Sequence, residues 1–474
     1  MDQNKQHTSI VGSSIRIFII RFFSTLASLI TMIYFSHQLE PKYYGIYQNF
    51  WVQLSIASSI GGLGLGLLIF TYPPETLRHL IQKLKPKFYL GYAVLLIVIG
   101  IGFTLLRHHS ISDVVQKGYL SFLFFLFYTL SLLLEAFVII IKKYKLLTIT
   151  SLLYAFAFVG SAFFTYYNGF QLETFIACLL PFLILRTLIL FFPFYSFMKE
   201  KASGKFMRAG RGSVLSLWIH LGFYDVATML IIWIDKFIIS LVTNEETAAV
   251  YFNGTFSIPF LPIVLSAVSS ATLMQLTQSA SAAEKARLMQ QVGKVLSCAA
   301  YPLFFFLLVY KEEFVVTVFS EQYRASIPIF LCSILILPVR AYSNTIILQN
   351  LQKGKIMNIG LILDFATAAI LFYPLYLWLG LAGVALSFVI STYVQSLFYL
   401  YHSAKLLRVS MLSLIPIKNW LIKAAFFGIL TVTLHTLFQN MEALKSLAIA
   451  AIICGAMAAI ILKSEMKRTN TTNT

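Results

Sequence analysis

Three arginines lie inside long apolar stretches of the sequence, where a charged side chain is costly. Arg21, Arg186 and Arg340 each have mostly apolar neighbours on both sides. At the centre of a membrane helix an arginine costs about 2.5–3.5 kcal/mol on insertion scales, so such residues usually have a charged partner or a function. The planar guanidinium matches phosphate oxygens better than a lysine ammonium does. The three arginines are therefore hypothesised to line a cavity and bind an anionic substrate.

Each arginine also has an alternative interpretation. Arg21 shares a helical face with three hydroxyl residues at i+3, i+4 and i+7. That polar stripe runs away from the nearest membrane surface, which favours a cavity role over snorkelling to the headgroups. For Arg186 and Arg340, an ion pair that holds helices together and a ligand contact fit the sequence equally well.

Acidic residues also fall within the predicted membrane spans. Glu135 is near the cytoplasmic end of its span, which favours a structural partner for an arginine. Asp225 is near the centre of its span and is either the counter-ion of an arginine or a protonatable coupling group. Asp364 has the same two interpretations at a shallower depth. Asp235 and Lys236 are adjacent in sequence, so we expect them not to face each other and to act as interfacial anchors.

No catalytic, metal-binding or cofactor motif accompanies these charges. The sequence has no HExxH, Walker A or GxSxG pattern, and its four cysteines form no CxxC. The glycine-rich run 61–66 is interpreted as helix packing through Gly62 and Gly66 rather than as a phosphate-binding loop, because no strand precedes it. We therefore expect no enzymatic activity, no cofactor and no metal.

The composition is that of a polytopic membrane protein. The 474 residues have a mean hydropathy of +0.81, with 59% hydrophobic and only 11% charged residues. This leaves too little polar surface for a soluble protein of the same size. The net charge of +18 lies mostly in short loops, which indicates contact with anionic lipid headgroups and control of topology rather than nucleic-acid binding.

The fold class predicted is an all-α membrane protein with about fourteen transmembrane helices. Lys and Arg concentrate in alternate loops, which places both chain ends in the cytoplasm. One such loop, 199–212, divides the sequence into two groups of helices. The predicted spans are 13–36, 45–72, 88–106, 117–141, 146–167, 174–198, 213–241, 249–273, 295–310, 325–350, 356–376, 380–401, 419–438 and 443–462.

A weak internal repeat supports the division into two groups. Shifting the sequence by 204 positions places residues of 36–49 on similar residues of 240–253, between the first two helices of each group. Because each group has an even number of helices, the repeats are parallel and related by an axis along the membrane normal. We expect a six-helix lobe at 1–200, a second at 201–410, and two additional helices with a polar tail at 411–474.

Several segments then resemble one transporter family. The segment 39–47 resembles the start of the polysaccharide-unit flippases of the multidrug/oligosaccharidyl-lipid/polysaccharide exporter superfamily. Further matches lie at 234–240 with 249–251, at 323–355 and at 380–387. The resemblance follows the helix order along the whole chain and implies two six-helix lobes around a central cavity.

The resemblance also implies a function. The expected substrate is an undecaprenyl-diphosphate-linked oligosaccharide, moved from the inner to the outer leaflet of the bacterial inner membrane by alternating access, for surface polysaccharide such as O-antigen or capsule. The expected partners are this lipid, membrane lipids and a possible polysaccharide polymerase, with no nucleic acid. The family fixes no ligand residue by its motifs.

Two alternative functions are also open to a polytopic membrane protein. A cation-coupled drug exporter of the same fold would favour acidic residues and an apolar cavity over three arginines. A membrane polysaccharide polymerase or ligase would need a sizeable outer loop to hold the growing chain, and the sequence has no loop long enough for a folded domain. The charges within the spans therefore favour the flippase.

Overall fold

The computed structural model describes residues 3–72, 74–107, 111–200, 211–258, 281–342 and 345–471, with scattered positions between 259 and 280. Within these ranges, side chains are described except at 3–19, 21, 111–116, 211–217 and 466–471. All regular secondary structure in this part of the chain is helical.

The described residues form eighteen α-helices and three short 3-10 turns. They are α1 (Gln3–Gln38), α2 (Pro41–Gly62), α3 (Leu65–Thr71), α4 (Pro74–Gln82), α5 (Pro86–Arg107), α6 (Ile111–Ile140), α7 (Tyr144–Tyr167), α8 (Leu172–Lys199), α9 (Arg211–Val242), α10 (Glu245–Gly254), α11 (Ala282–Val309), α12 (Lys311–Phe319), α13 (Ile327–Ile334), α14 (Ile346–Asn350), α15 (Gly354–Leu379), α16 (Leu381–Leu407), α17 (Ile417–Phe438) and α18 (Ala443–Thr471). Short 3-10 turns lie at Glu321–Ser326, Pro338–Ala341 and Met411–Leu414.

The helices confirm an all-α, multi-pass membrane protein. In the described residues, 10 helical stretches are long and apolar enough to cross a membrane, or 11 if the bent pair α2 and α3 forms one span. Helices α1 and α9, of 36 and 32 residues, occupy the predicted first and seventh spans. Most of the predicted eighth span, 249–273, lies outside the described residues. The observed helices agree with a count near fourteen.

Contacts between helices divide the chain into two compact units, Met1–Ala249 and Val250–Thr474. The lobe boundaries predicted at 200 and 410 stay predictions. Within the first unit, α6 packs against α8, α1 against α7, and α2 against α9. Within the second unit, α15 packs against α16, and α11 packs against both α17 and α18.

Aromatic rings form the centre of the first unit. Phe35, Phe50, Phe124 and Phe175 are completely buried. The rings of Phe50 and Phe124 meet edge to face at 5.5 Å, and Phe35 meets Tyr47 in the same way at 4.9 Å. Each such pair contributes about 0.5–1.5 kcal/mol beyond burial. This core fixes α2 against α6 and α8, the helices that carry the charged residues discussed below.

The second predicted span is broken. Helix α2 ends at Gly62, Leu63 and Gly64 take left-handed conformations, and α3 continues after a bend of 51°. The prediction that Gly62 and Gly66 form a close-packing face was wrong within the described part of the chain, because none of its heavy atoms lies within 4 Å of a Cβ built on either residue. Their i, i+4 spacing aligns side chains only in a continuous helix, and the break separates them. Gly64 makes the close contact instead.

The tenth predicted span, 325–350, is also discontinuous. Helix α13 ends at Ile334, a 3-10 turn follows at Pro338–Ala341, and Tyr342 is extended before the chain resumes in α14. Pro338 cannot donate a backbone hydrogen bond and crowds the preceding turn, which weakens the α-helix at this point. The break places Arg340 in the 3-10 turn rather than on a regular helix.

Candidate functional site

Two charged residues singled out from the sequence, Arg186 and Glu135, form an ion pair between α6 and α8. A guanidinium nitrogen of Arg186 lies 2.7 Å from a carboxylate oxygen of Glu135, and the two side chains are only 10% and 17% exposed. The guanidinium carbon of Arg186 also lies 5.2 Å from the ring centroid of Tyr154. Glu135 is thus placed as a partner of an arginine, and its carboxylate neutralises Arg186.

Arg340 has a different environment in the second unit. Its side chain is exposed although protein atoms surround it densely. No carboxylate of the described residues lies within ion-pair distance of its guanidinium. Two of the predicted arginines have described side chains. Arg186 is paired with Glu135, whereas Arg340 has no carboxylate partner among the described residues.

Asp364 supplies the nearest opposite charge. It lies on α15, is 4% exposed, and interacts electrostatically with Arg340 beyond ion-pair distance. The hydroxyl of Ser391, on α16, is within hydrogen-bonding reach of its carboxylate. Its Oδ1 atom has no hydrogen-bond partner among the described residues. Asp364 therefore faces Arg340 as a distant counter-charge and keeps one acceptor available.

Asp225 engages the backbone of the broken second span. Its carboxylate interacts with the backbone N–H of Gly64, and Trp218, two turns earlier on α9, donates its indole N–H to the Leu63 carbonyl at 2.8 Å. Neither the counter-ion role nor the coupling role predicted for Asp225 anticipates this contact. Both roles remain predictions.

Arg21 lies on α1, but its side chain is outside the described residues, so its role stays a prediction.

Asp235 and Lys236 were expected not to face each other, and this was wrong: their charged atoms are 3.2 Å apart. The long lysine side chain folds back along the helix, and its ammonium also lies 5.7 Å from the Trp233 ring. Asp235 is 5% exposed, which does not fit an interfacial anchor.

The described residues contain no group of three His, Cys, Asp or Glu side chains that could hold a metal ion. The Nε2 atom of His435 lies 2.9 Å from a carboxylate oxygen of Glu313. This is an ordinary polar contact between α17 and α12.

A polar cluster in the C-terminal helices was missed by the sequence analysis. Lys423, on α17, is 4% exposed and donates to the Lys294 carbonyl at 2.6 Å and to Ser297 at 3.1 Å, both on α11. Its ammonium is also 3.3 Å from the carboxylate of Glu465, on α18, which accepts a 2.7 Å bond from Asn419. Lys423 lies within the predicted span 419–438, but its partner Glu465 lies beyond the predicted end of the last span.

Replacing Glu465 with glutamine is expected to loosen the packing of α17 and α18 against α11. The variant keeps an acceptor for Asn419 but removes the negative charge beside Lys423, so about 1.5–3 kcal/mol of charge-assisted hydrogen bonding is lost. Thermal unfolding in detergent measures the change. Glu442→Gln is the control, since Glu442 pairs with Lys445 on the surface, where both side chains are more than 60% exposed. Equal stability of the two variants would contradict a docking role.

Comparison with solved structures shows which proteins share this fold. A structure described as lipid II flippase MurJ in an inward closed conformation aligns with a TM-score of 0.69 and 15% identity, over 96% of this chain and 99% of that chain. A MOP superfamily transporter from Pyrococcus furiosus aligns with a TM-score of 0.57 and 12% identity, over 84% of this chain and 95% of that chain. A MATE structure in the bent conformation aligns with a TM-score of 0.56 and 13% identity over the same shares.

Neither a protein family nor a curated protein sequence matches the chain. At these low identities the structural likeness shows the fold alone. That fold is shared with MOP-superfamily transporters, and the aligned proteins are transporters rather than enzymes.

Proposed function

We propose that this protein is a flippase that moves undecaprenyl-diphosphate-linked oligosaccharide units from the inner to the outer leaflet by alternating access. The observation that carries the proposal is Arg340: an exposed guanidinium at a break in a membrane span, without an ion-pair partner among the described residues. The likeness of the fold to a lipid II flippase supports it. The proposal places the protein in the polysaccharide-unit flippase family and in the bacterial inner membrane, with both chain ends in the cytoplasm.

A diphosphate is the group that needs such a residue. It carries about two negative charges and cannot cross hydrocarbon unless cations accompany it. A guanidinium binds it through paired, charge-assisted hydrogen bonds, which are roughly twice as strong as neutral ones. The 3-10 turn that carries Arg340 interrupts the regular helix, and irregular backbone within a membrane lies where it lines protein or water rather than lipid. Arg340 is thus placed to meet a polar headgroup.

Asp364 is an alternative electrostatic partner of Arg340 when no phosphate is bound. With no phosphate bound, its carboxylate is the nearest opposite charge to Arg340. A diphosphate would compete for the guanidinium and weaken this attraction, so that substrate binding changes the interaction between α15 and the 3-10 turn. A ligand shifts a conformational equilibrium only through such differential contacts.

A cation-coupled exporter of drugs or small molecules is the second candidate. The observation in its favour is Asp364, a buried carboxylate with a free oxygen that a proton or cation could occupy. The likeness to MATE structures is compatible with it. The two candidates differ in cargo: an exporter of cationic drugs gains nothing from an unpaired arginine, which would repel them.

Reconstituted transport tests the proposal. Purified protein is placed in liposomes with a fluorescent undecaprenyl-diphosphate oligosaccharide, and its arrival in the opposite leaflet is followed with a membrane-impermeant quencher. We expect faster translocation than in protein-free liposomes, and no acceleration for a neutral polyprenol bearing the same sugar. Ethidium transport in the same liposomes tests the exporter. Ethidium movement without lipid translocation would overturn the flippase proposal.

A further inference from the structure

One face of α9 packs against the break between α2 and α3. Trp218, Gly222 and Asp225 follow one another at i, i+4 and i+7, so they lie on the same side of the helix. Trp218 donates to the Leu63 carbonyl at 2.8 Å, and the Asp225 carboxylate interacts with the Gly64 N–H. Two backbone groups at the bend are thus contacted by polar side chains of one neighbouring helix.

The backbones themselves are in close contact at this point. A Cβ added to Gly64 would lie 2.6 Å from backbone atoms of Gly222, and one added to Gly222 would lie 2.8 Å from the Leu63 carbonyl oxygen. Neither neighbour is a flexible side chain that could move aside, so only glycine allows this approach at both positions. We call these five residues the α2–α9 latch: Leu63, Gly64, Trp218, Gly222 and Asp225.

Polar groups without partners lie farther along α2. Asn49 and Gln53 are 9% and 6% exposed, and their side-chain carbonyl oxygens have no hydrogen-bond partner among the described residues. Nearer the start of α2, Gly45 packs directly against the backbone carbonyl of Glu245. Buried acceptors without partners are costly, and they would gain partners if water entered beside α2.

We propose that the α2–α9 latch is the inner gate of the transporter: its release gives substrate access from the cytoplasmic side, and its closure seals that side. The inference rests on the proposed alternating-access function and on the predicted cytoplasmic position of the start of α9. One hydrogen bond, one polar contact and one glycine contact can form and break repeatedly, because none of them requires the core of the unit to unfold. Trp218 and Asp225 are thus positioning residues for the closed state and need not touch the substrate.

Thiol accessibility tests the gate without any substrate. In a background with the four native cysteines replaced, Thr228→Cys places a reporter one turn beyond Asp225 on α9. Inverted membrane vesicles expose the cytoplasmic side to a membrane-impermeant maleimide. We expect the reporter to react about fivefold faster when Trp218→Phe removes the indole donor but keeps an aromatic ring, which is the effect of one lost hydrogen bond. Gly222→Ala should increase the rate further by forcing the backbones apart.

Matched controls separate the latch from general loosening. Gly66→Ala lies close to the same break, but nothing lies within 4 Å of its added Cβ, and Trp378→Phe alters a tryptophan that is 76% exposed on α15. Both should leave the labelling rate unchanged. If Gly222→Ala fails to insert, Trp218→Phe still decides the question.

An unchanged rate in Trp218→Phe, with the protein inserted and its thermal unfolding normal, would overturn the gate. Equal acceleration by Gly66→Ala would also overturn it. Because the readout needs no cargo, an accelerated rate in a protein that fails the lipid-translocation assay would reject the flippase and keep the gate.

Discussion

Arg340→Ala is expected to reduce lipid translocation by about tenfold to a hundredfold. The substitution removes one or more charge-assisted bonds to the diphosphate, each worth about 1.5–3 kcal/mol. No described cation lies within ion-pair distance of Asp364, so none stands ready to take the place of Arg340. Arg340→Lys should recover only part of the rate, because lysine keeps the charge but loses the planar fork. Translocation in liposomes at matched protein levels measures the effect.

Arg324→Ala is the control for this series. Arg324 belongs to the same unit, but it is 54% exposed and already bound to Glu321 at 2.6 Å and to Glu312 at 3.3 Å. Its loss should leave translocation unchanged, since surface ion pairs contribute little. Normal translocation by an inserted Arg340→Ala protein would rule out Arg340 as the phosphate contact. Arg21→Ala belongs in the same experiment, because its predicted role is untested.

The sequence was a good guide to the helices and a poor one to their interruptions. Apolar runs of membrane-spanning length recur along the chain, and the structure has helices where they lie. The break at Leu63 depends on donors and acceptors of α9, more than 150 residues away in sequence, and no local pattern contains that information. Pro338 was a visible signal, but a proline within a membrane span is compatible with a kink as well as a break.

The pairing of charges was equally beyond the sequence. An arginine within a span demands a partner or a ligand, and this much could be predicted for Arg186 and Arg340 alike. Which of them is neutralised depends on how each helix is rotated in its bundle. Helices α6 and α8 turn Glu135 towards Arg186, whereas α15 keeps Asp364 beyond ion-pair distance of Arg340. From the sequence the two arginines are equivalent. In the structure Arg186 is paired with Glu135, whereas Arg340 has no ion-pair partner among the described residues.

Because Arg186 is already paired with a buried carboxylate, we expect its removal to lower stability. Glu135→Ala or Arg186→Ala alone is expected to destabilise the protein by about 3–5 kcal/mol, because each leaves an uncompensated buried charge. The double variant Glu135→Leu/Arg186→Met replaces both charges by apolar groups of similar size, so it should be nearly as stable as the parent. Thermal unfolding in detergent measures all three, and the double-mutant cycle gives the coupling between the two sites.

The exposed pair Glu442–Lys445 is the matched control, with charged atoms 3.0 Å apart and an expected effect below about 1 kcal/mol on removal of either charge. The double variant also decides the function of Arg186. If its charge only balances Glu135, lipid translocation should survive in Glu135→Leu/Arg186→Met, since both charges are absent together. If translocation is lost while stability is retained, Arg186 contacts the diphosphate in another conformation, and Glu135 is its resting partner rather than its permanent one.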